Sequence, residues 1–148
     1  MIEVGKSMGF LPGGADEKFN PYMEALVDNL KTCADSFLID KYIEDDRIMA
    51  MPIQFIRGKT IDDILIVEEA QNLTKGEALA IATRLGKLGK IVFNGDNEQT
   101  DININPLTNG LSYLIELSKK IEEIKWIKLK ENHRSDLVSR ILNYEYGG

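Results

Sequence analysis

Four aliphatic residues, Ile64-Leu65-Ile66-Val67, run straight into Glu68-Glu69-Ala70-Gln71-Asn72, and this junction constrains the chain more than any other stretch. A continuous apolar run with β-branched residues suits a strand buried on both faces, as in a parallel sheet. Strands of that kind present polar groups just beyond their carboxyl ends, in the crevice where ligands bind. Glu68 and Glu69 are therefore expected at the mouth of a sheet. Paired carboxylates there suit a magnesium ion and an activated water. The same residues also fit a plainer reading, a buried strand followed by an acidic approach to a helix.

A second apolar run, Lys90-Ile91-Val92-Phe93, closes in Asn94-Gly95-Asp96. The helix expected between the two runs has a marked start. Thr74 and Glu77 form a T-x-x-E capping box, in which hydroxyl and carboxylate satisfy each other's backbone donors. Ala78, Leu79, Ile81, Ala82 and Leu85 follow at helical spacing as its apolar face. Gly86 and Gly89 end the helix and turn the chain back. Strand, helix and strand over about thirty residues make a βαβ unit, with parallel strands and a right-handed crossover. Both strands then deliver polar tips to one sheet edge: Glu68 and Glu69 from the first, Asp96 to Gln99 from the second. Four hydrophobic residues followed by two carboxylates form the pattern of a Walker B strand.

The bulk numbers permit this. The chain has 148 residues, 43% hydrophobic and 28% charged, which suits one soluble globular domain spanning residues 1–148. A net charge of −6 argues against non-specific attraction to nucleic acid, though a local basic groove stays compatible with it. The single cysteine, Cys33, has no internal partner, which fits a reducing, cytoplasmic setting, and it reads as a small core residue. No early stretch resembles a signal peptide and no apolar run is long enough to span a membrane.

The rest of the chain reads as alternating helices and extended pieces. Residues 1–9 suit a short helix. Within them Gly5-Lys6-Ser7 imitates the end of a phosphate-binding loop, but the first glycine of that motif would fall before residue 1, and no strand precedes it. Leu11-Pro12-Gly13-Gly14 is a turn. Asn20-Pro21 starts a helix whose face is Tyr22, Leu26, Val27, Leu30 and Cys33. Ser36 to Tyr42 is a second helix. Arg47 to Ile56, interrupted by Pro52, alternates as one strand or two extended pieces. Thr108 or Asn109 caps a helix through Lys119 with Leu111, Leu114, Ile115 and Leu117 inward. Ile124 to Leu129, with Trp126, is a third strand, and Ser135 to Tyr144 a final helix. His133 has no Cys or His partner, so a loop position suits it better than a metal site.

Taken together, several motifs resemble those of PhoH-like ATPases. They are Gly9-Phe10-Leu11-Pro12-Gly13, Asp16-Glu17-Lys18, Asn20-Pro21-Tyr22, Arg57-Gly58-Lys59-Thr60, Glu69-Ala70-Gln71-Asn72, and Gly95-Asp96 with Gln99 and Asp101. Their order and spacing agree over roughly residues 5 to 146. Glu131-Asn132-His133-Arg134-Ser135 is also similar to the Asn-Tyr-Arg-Ser segment of superfamily 1 helicases. The resemblance implies an α/β, three-layer RecA-like P-loop NTPase core with a mostly parallel sheet. The family's Walker A strand and loop fall before residue 1, so the implied core is N-terminally truncated, the C-terminal two-thirds of such an ATPase.

Residue by residue, the resemblance implies ATP and magnesium as cofactors. Glu68 takes the magnesium-holding position, where the family usually has Asp, and Glu69 that of the base orienting the attacking water. Gln71 and Gln99 match positions that sense the γ-phosphate. Arg134 matches the arginine that neutralises charge developing in transfer. Asp96, Arg57 and Thr60 belong to the implied cofactor-binding set. The implied partners are RNA or other single-stranded nucleic acid, and a second copy or a chain supplying the Walker A segment. Two rival readings use the same residues: a non-catalytic fragment acting as a protein- or nucleic-acid-binding module, and a metal-dependent nuclease built on Glu68, Glu69 and Asp96.

Overall fold

The computed structural model describes residues 24, 26–97, 105–129 and 135–146. The parallel βαβ unit is present. Strand β1 (Ile64–Val67) pairs in parallel with β2 (Lys90–Phe93), Ile64 opposite Lys90 and Val67 opposite Phe93. Helix α3 (Lys75–Ala82) connects them. Its capping box forms as the spacing predicts: Glu77 N donates to Thr74 Oγ1 at 3.3 Å, and Thr74 N donates to Glu77 Oε2 at 2.8 Å. Ala78 and Ile81 are buried, whereas Leu79 and Leu85 of the expected apolar face are exposed. The helix stops at Ala82, so Leu85 lies beyond it and forms an isolated parallel bridge with Ile61.

Around this unit, residues 26–33 form helix α1, and α2 (Ser36–Glu44) follows with Asp35 accepting from Leu38 N at 3.0 Å as its cap. Helix α4 (Gly110–Ser118) is capped by Asn109, and α5 (Asp136–Tyr146) follows. The core is one cluster: Val67 from β1, Ala70 and Leu73 from the turn after it, Ala78 and Ile81 from α3, Leu111 and Leu114 from α4. Both α3 and the turn after β1 pack against α4. Burying this set stabilises the strand-end turn directly, because Ala70 and Leu73 have no exposed surface at all.

Four expectations are corrected. Strand β1 is buried on one face only: Ile64 and Ile66 are 69% and 56% exposed, while Val67 is 3% exposed. Continuous apolarity signals a strand but cannot reveal which of its faces is covered. Arg47 to Ile56 contains no strand. Its second half is a 3₁₀ turn, Ile53–Ile56, that begins when Phe55 N donates to Pro52 O. Pro52 has no N–H to give to a ladder, and at φ −58°, ψ 141° it stands as the cap whose carbonyl accepts the first bond of the turn. Ile124 to Leu129 joins no ladder among the described residues, and Trp126, Ile127 and Leu129 are exposed. The described sheet is therefore two-stranded. Finally, Cys33 is exposed, not a core residue. The expected features at residues 1–23, together with Gln99, Asp101, His133 and Arg134, lie outside the described residues.

Candidate active site at the ends of the parallel strands

The chain beyond Val67 does not simply continue. Asn94 N donates to Val67 O at 2.8 Å, and Asn94 O accepts from Ala70 N at 2.9 Å. A regular parallel ladder would flank Asn94 with residues two apart; here they are three apart. Glu68 and Glu69 thus contain one extra residue, as in a bulge, a device that re-aims side chains beside active sites. The extra residue is absorbed at Glu69, whose backbone is left-handed at φ 54°, ψ 38°. A non-glycine residue in that region costs about 1–2 kcal/mol, and such strain concentrates where function requires it. It is offset by the bonds on either side and by a 3₁₀ turn, Ala70–Asn72, closed by Leu73 N to Ala70 O.

The two carboxylates have different partners. Asn94 Nδ2 donates to Glu68 Oε2 at 2.7 Å, tying the tip of β1 to the tip of β2. Gln71 Nε2 donates to Glu69 Oε2, also at 2.7 Å. The Gln71 amide works in both directions: its Oε1 accepts from Asp96 N at 3.1 Å. Gln71 is 2% exposed, so this side chain is locked between the two strand ends. Gly95 is the residue that permits the approach. A Cβ placed there would stand 2.5 Å from Gln71 Oε1 and 2.9 Å from Gln71 N.

The structure therefore brings together four of the expected site residues: Glu68, Glu69, Gln71 and Asp96. It does not bring Thr60 and Arg57 to them. Thr60 lies where the strands begin, its methyl close to Gly86, whereas the carboxylates lie where they end. Arg57 is exposed and lines a cavity of about 50 Å³ with Ile53, Ile56, Glu77 and Ile81. Asn94 was missing from the sequence reading. Its signal was available, since it is the first polar residue after β2, in parallel register with the first after β1. Asn109 was read only as a helix cap, and nothing local to residue 109 discloses its second bond, to Gln71 O.

Among the described residues no group of three or more His, Cys, Asp or Glu side chains could hold a metal ion. That does not count against magnesium of the nucleotide type, which takes one or two carboxylates plus waters and phosphates. Glu68 is a hard oxygen donor, half-buried at the sheet edge, and suits that part.

A parallel α/β sheet whose first strand ends in a fixed carboxylate pair is consistent with the RecA-like P-loop class of NTPase domains. Within that class the chain belongs to the PhoH-like protein family, which it matches over residues 1–145. It is 38% identical to Protein PhoH2 of Bacillus subtilis over 147 residues, covering 93% of this chain and 33% of that protein. A PhoH-like protein of the same bacterium is 35% identical over 95% of this chain and 45% of its own length. One from Mycobacterium bovis is 34% identical over 99% of this chain and 44% of its own length. The chain thus spans less than half the length of these curated relatives. Members of the family are generally P-loop ATPases. Among the described residues no helix is long and apolar enough to cross a membrane.

Proposed function

We propose that this chain contributes the carboxylate half of an ATP-hydrolysing site, with magnesium, in the cytoplasm, coupled to RNA or other single-stranded nucleic acid. The observation that carries the reading is Gln71, buried and bonded at once to Glu69 and to the backbone of Asp96. A merely structural acidic turn has no need of such a tie. Glu68 would hold the magnesium, which when bound neutralises charge on the phosphates. Glu69, with Oε2 held by Gln71, would orient and deprotonate the attacking water through Oε1. Gln71 and Gln99 would report the γ-phosphate, and Arg134 would stabilise the charge that develops in transfer. The roles of Gln99 and Arg134 rest on sequence alone. Phosphate binding by a Walker A segment, in the same chain or supplied by another, completes the site.

The test uses protein in which that segment is present. Glu69→Gln should abolish hydrolysis while ATP binding is retained, because an amide keeps the shape but cannot take the water's proton. Arg134→Ala should slow turnover by about 10³-fold or more with little loss of binding. If the completed parent shows no hydrolysis, the non-catalytic binding module replaces this reading.

A further inference from the structure

The mechanism above uses Gln71 through its side chain; its main chain is held by another residue. Asn109 has no exposed surface. Its Nδ2 donates to Gln71 O at 2.7 Å, a bond between buried groups 38 residues apart. Its Oδ1 accepts from Ser112 N at 2.9 Å and so caps α4. The neighbouring backbone is stitched to the same corner. Gly110 N donates to Leu73 O at 2.7 Å, and Lys75 N donates to Thr108 O at 2.7 Å. The end of β2 reaches α4 as well, through Asn97 Nδ2 to Ser112 Oγ at 3.3 Å. The first turn of α4 is therefore the anchor on which both strand-end loops converge.

We propose that Asn109 is a positioning residue for the carboxylate site: it holds the Gln71 backbone to α4, so that the Gln71 amide stays aimed at Glu69 and Asp96. As far as Glu69 is concerned, this rests on the ATPase reading; the positioning of Gln71 does not. A side chain that only caps a helix needs an acceptor, and Ser or Asp would serve equally. Asn109 uses its donor as well, and its amide carries donor and acceptor on two separate atoms of one short arm, so that both bonds form at once. Losing that donor takes from a buried carbonyl a hydrogen bond that it makes in the folded chain.

The decisive variant is Asn109→Ser, which keeps a good cap but is too short to reach Gln71 O. In the isotopically labelled 148-residue chain, amide exchange at Asp96 should rise about tenfold. The Gln71 side-chain amide signals should also move, while the Ser112 amide keeps its protection. Unchanged Gln71 and Asp96 signals would overturn the proposal. So would a Ser112 amide that loses protection in equal measure, since Asn109 would then be a cap alone. Should Asn109→Ser fail to fold, Asn109→Asp gives the same readout. It keeps length and cap but replaces the donor with an oxygen that opposes the Gln71 carbonyl. In protein with the Walker A segment present, Asn109→Ser should lower kcat about tenfold and leave the KM for ATP within about twofold. A loss confined to KM contradicts the role. If the parent does not hydrolyse ATP, the proposed function fails, and the exchange measurement still decides whether Asn109 positions Gln71.

Discussion

Replacing Gly95 by alanine should unseat the site with a single methyl group. A Cβ at position 95 would lie 2.5 Å from Gln71 Oε1, 2.9 Å from Gln71 N and 3.0 Å from Ala70 N. Real Cβ contacts do not reach that first distance, so something must move. Two of the three atoms are backbone, in a turn whose residues Ala70 and Leu73 have no exposed surface. The third belongs to a side chain already bonded at both ends. No cheap rotamer change relieves the clash. Overpacking of this kind costs about 1–3 kcal/mol. The Asp96 N to Gln71 Oε1 bond would be lost and the Ala70 N to Asn94 O bond strained, adding about 0.5–1.5 kcal/mol for each. The sum is about 2–6 kcal/mol, which for a chain of this size lowers Tm by about 6–20 °C. Thermal and urea unfolding followed by circular dichroism read this directly. A Tm within about 2 °C of the parent would refute the claim that Gly95 is needed for close approach to Gln71.

Two further predictions use the same measurement. Gly76→Ala should stabilise the chain by about 0.5–1 kcal/mol, because Gly76 sits in the first turn of α3 with nothing nearer than Thr74 Oγ1 at 4.0 Å and helical alanine outranks glycine; a destabilised variant contradicts it. Leu73→Ala should cost about 2–5 kcal/mol at its fully buried position, whereas Ile66→Lys should stay within about 0.5 kcal/mol. Equal costs at the two positions would mean that the inward and outward faces of this corner are misassigned.

What the sequence disclosed is what local chemistry decides. The run from Ile64 to Glu69 announces a strand and its polar tip, Thr74 and Glu77 cap their own helix, and Asn109 starts α4. These features need only neighbours within a few residues. What it concealed depends on groups far apart in the chain. Continuous apolarity in β1 suggested two covered faces, but coverage belongs to the partner elements, and Ile64 and Ile66 are open. Ile124 to Leu129 has the composition of a strand, yet a strand is defined by a ladder, and none forms there among the described residues. At the site, Glu68, Glu69 and Asp96 were legible because strand ends converge in any parallel sheet. The links from Asn94 to Glu68 and from Asn109 to Gln71 were not, since each joins residues 26 or 38 positions apart. Thr60 entered the candidate set only through the resemblance of Arg57-Gly58-Lys59-Thr60, and its place ahead of β1 sets it at the opposite end of the strand from the carboxylates.

Asn94 also bears on residue 68, where the resemblance implies Asp and this chain carries Glu. Glutamate at 68 is a methylene longer than aspartate, and magnesium tolerates little slack at about 2.0–2.1 Å. The 2.7 Å bond from Asn94 Nδ2 to Glu68 Oε2 gives the longer arm a fixed rest position. If that bond compensates for the extra length, the two residues are coupled and a double-mutant cycle should reveal it. With the Walker A segment present, Asn94→Ala should weaken magnesium-dependent ATP binding about fivefold when residue 68 is Glu. It should do almost nothing after Glu68→Asp, whose shorter side chain no longer reaches Asn94. Turnover of Glu68→Asp itself should hold or rise. The expected coupling is about 0.5–1.5 kcal/mol. Additivity to within about 0.3 kcal/mol would show that Asn94 merely decorates the Glu68 carboxylate. The binding arm needs no catalysis, so it separates a site that holds magnesium poorly from one that holds it well and turns over slowly for some other cause.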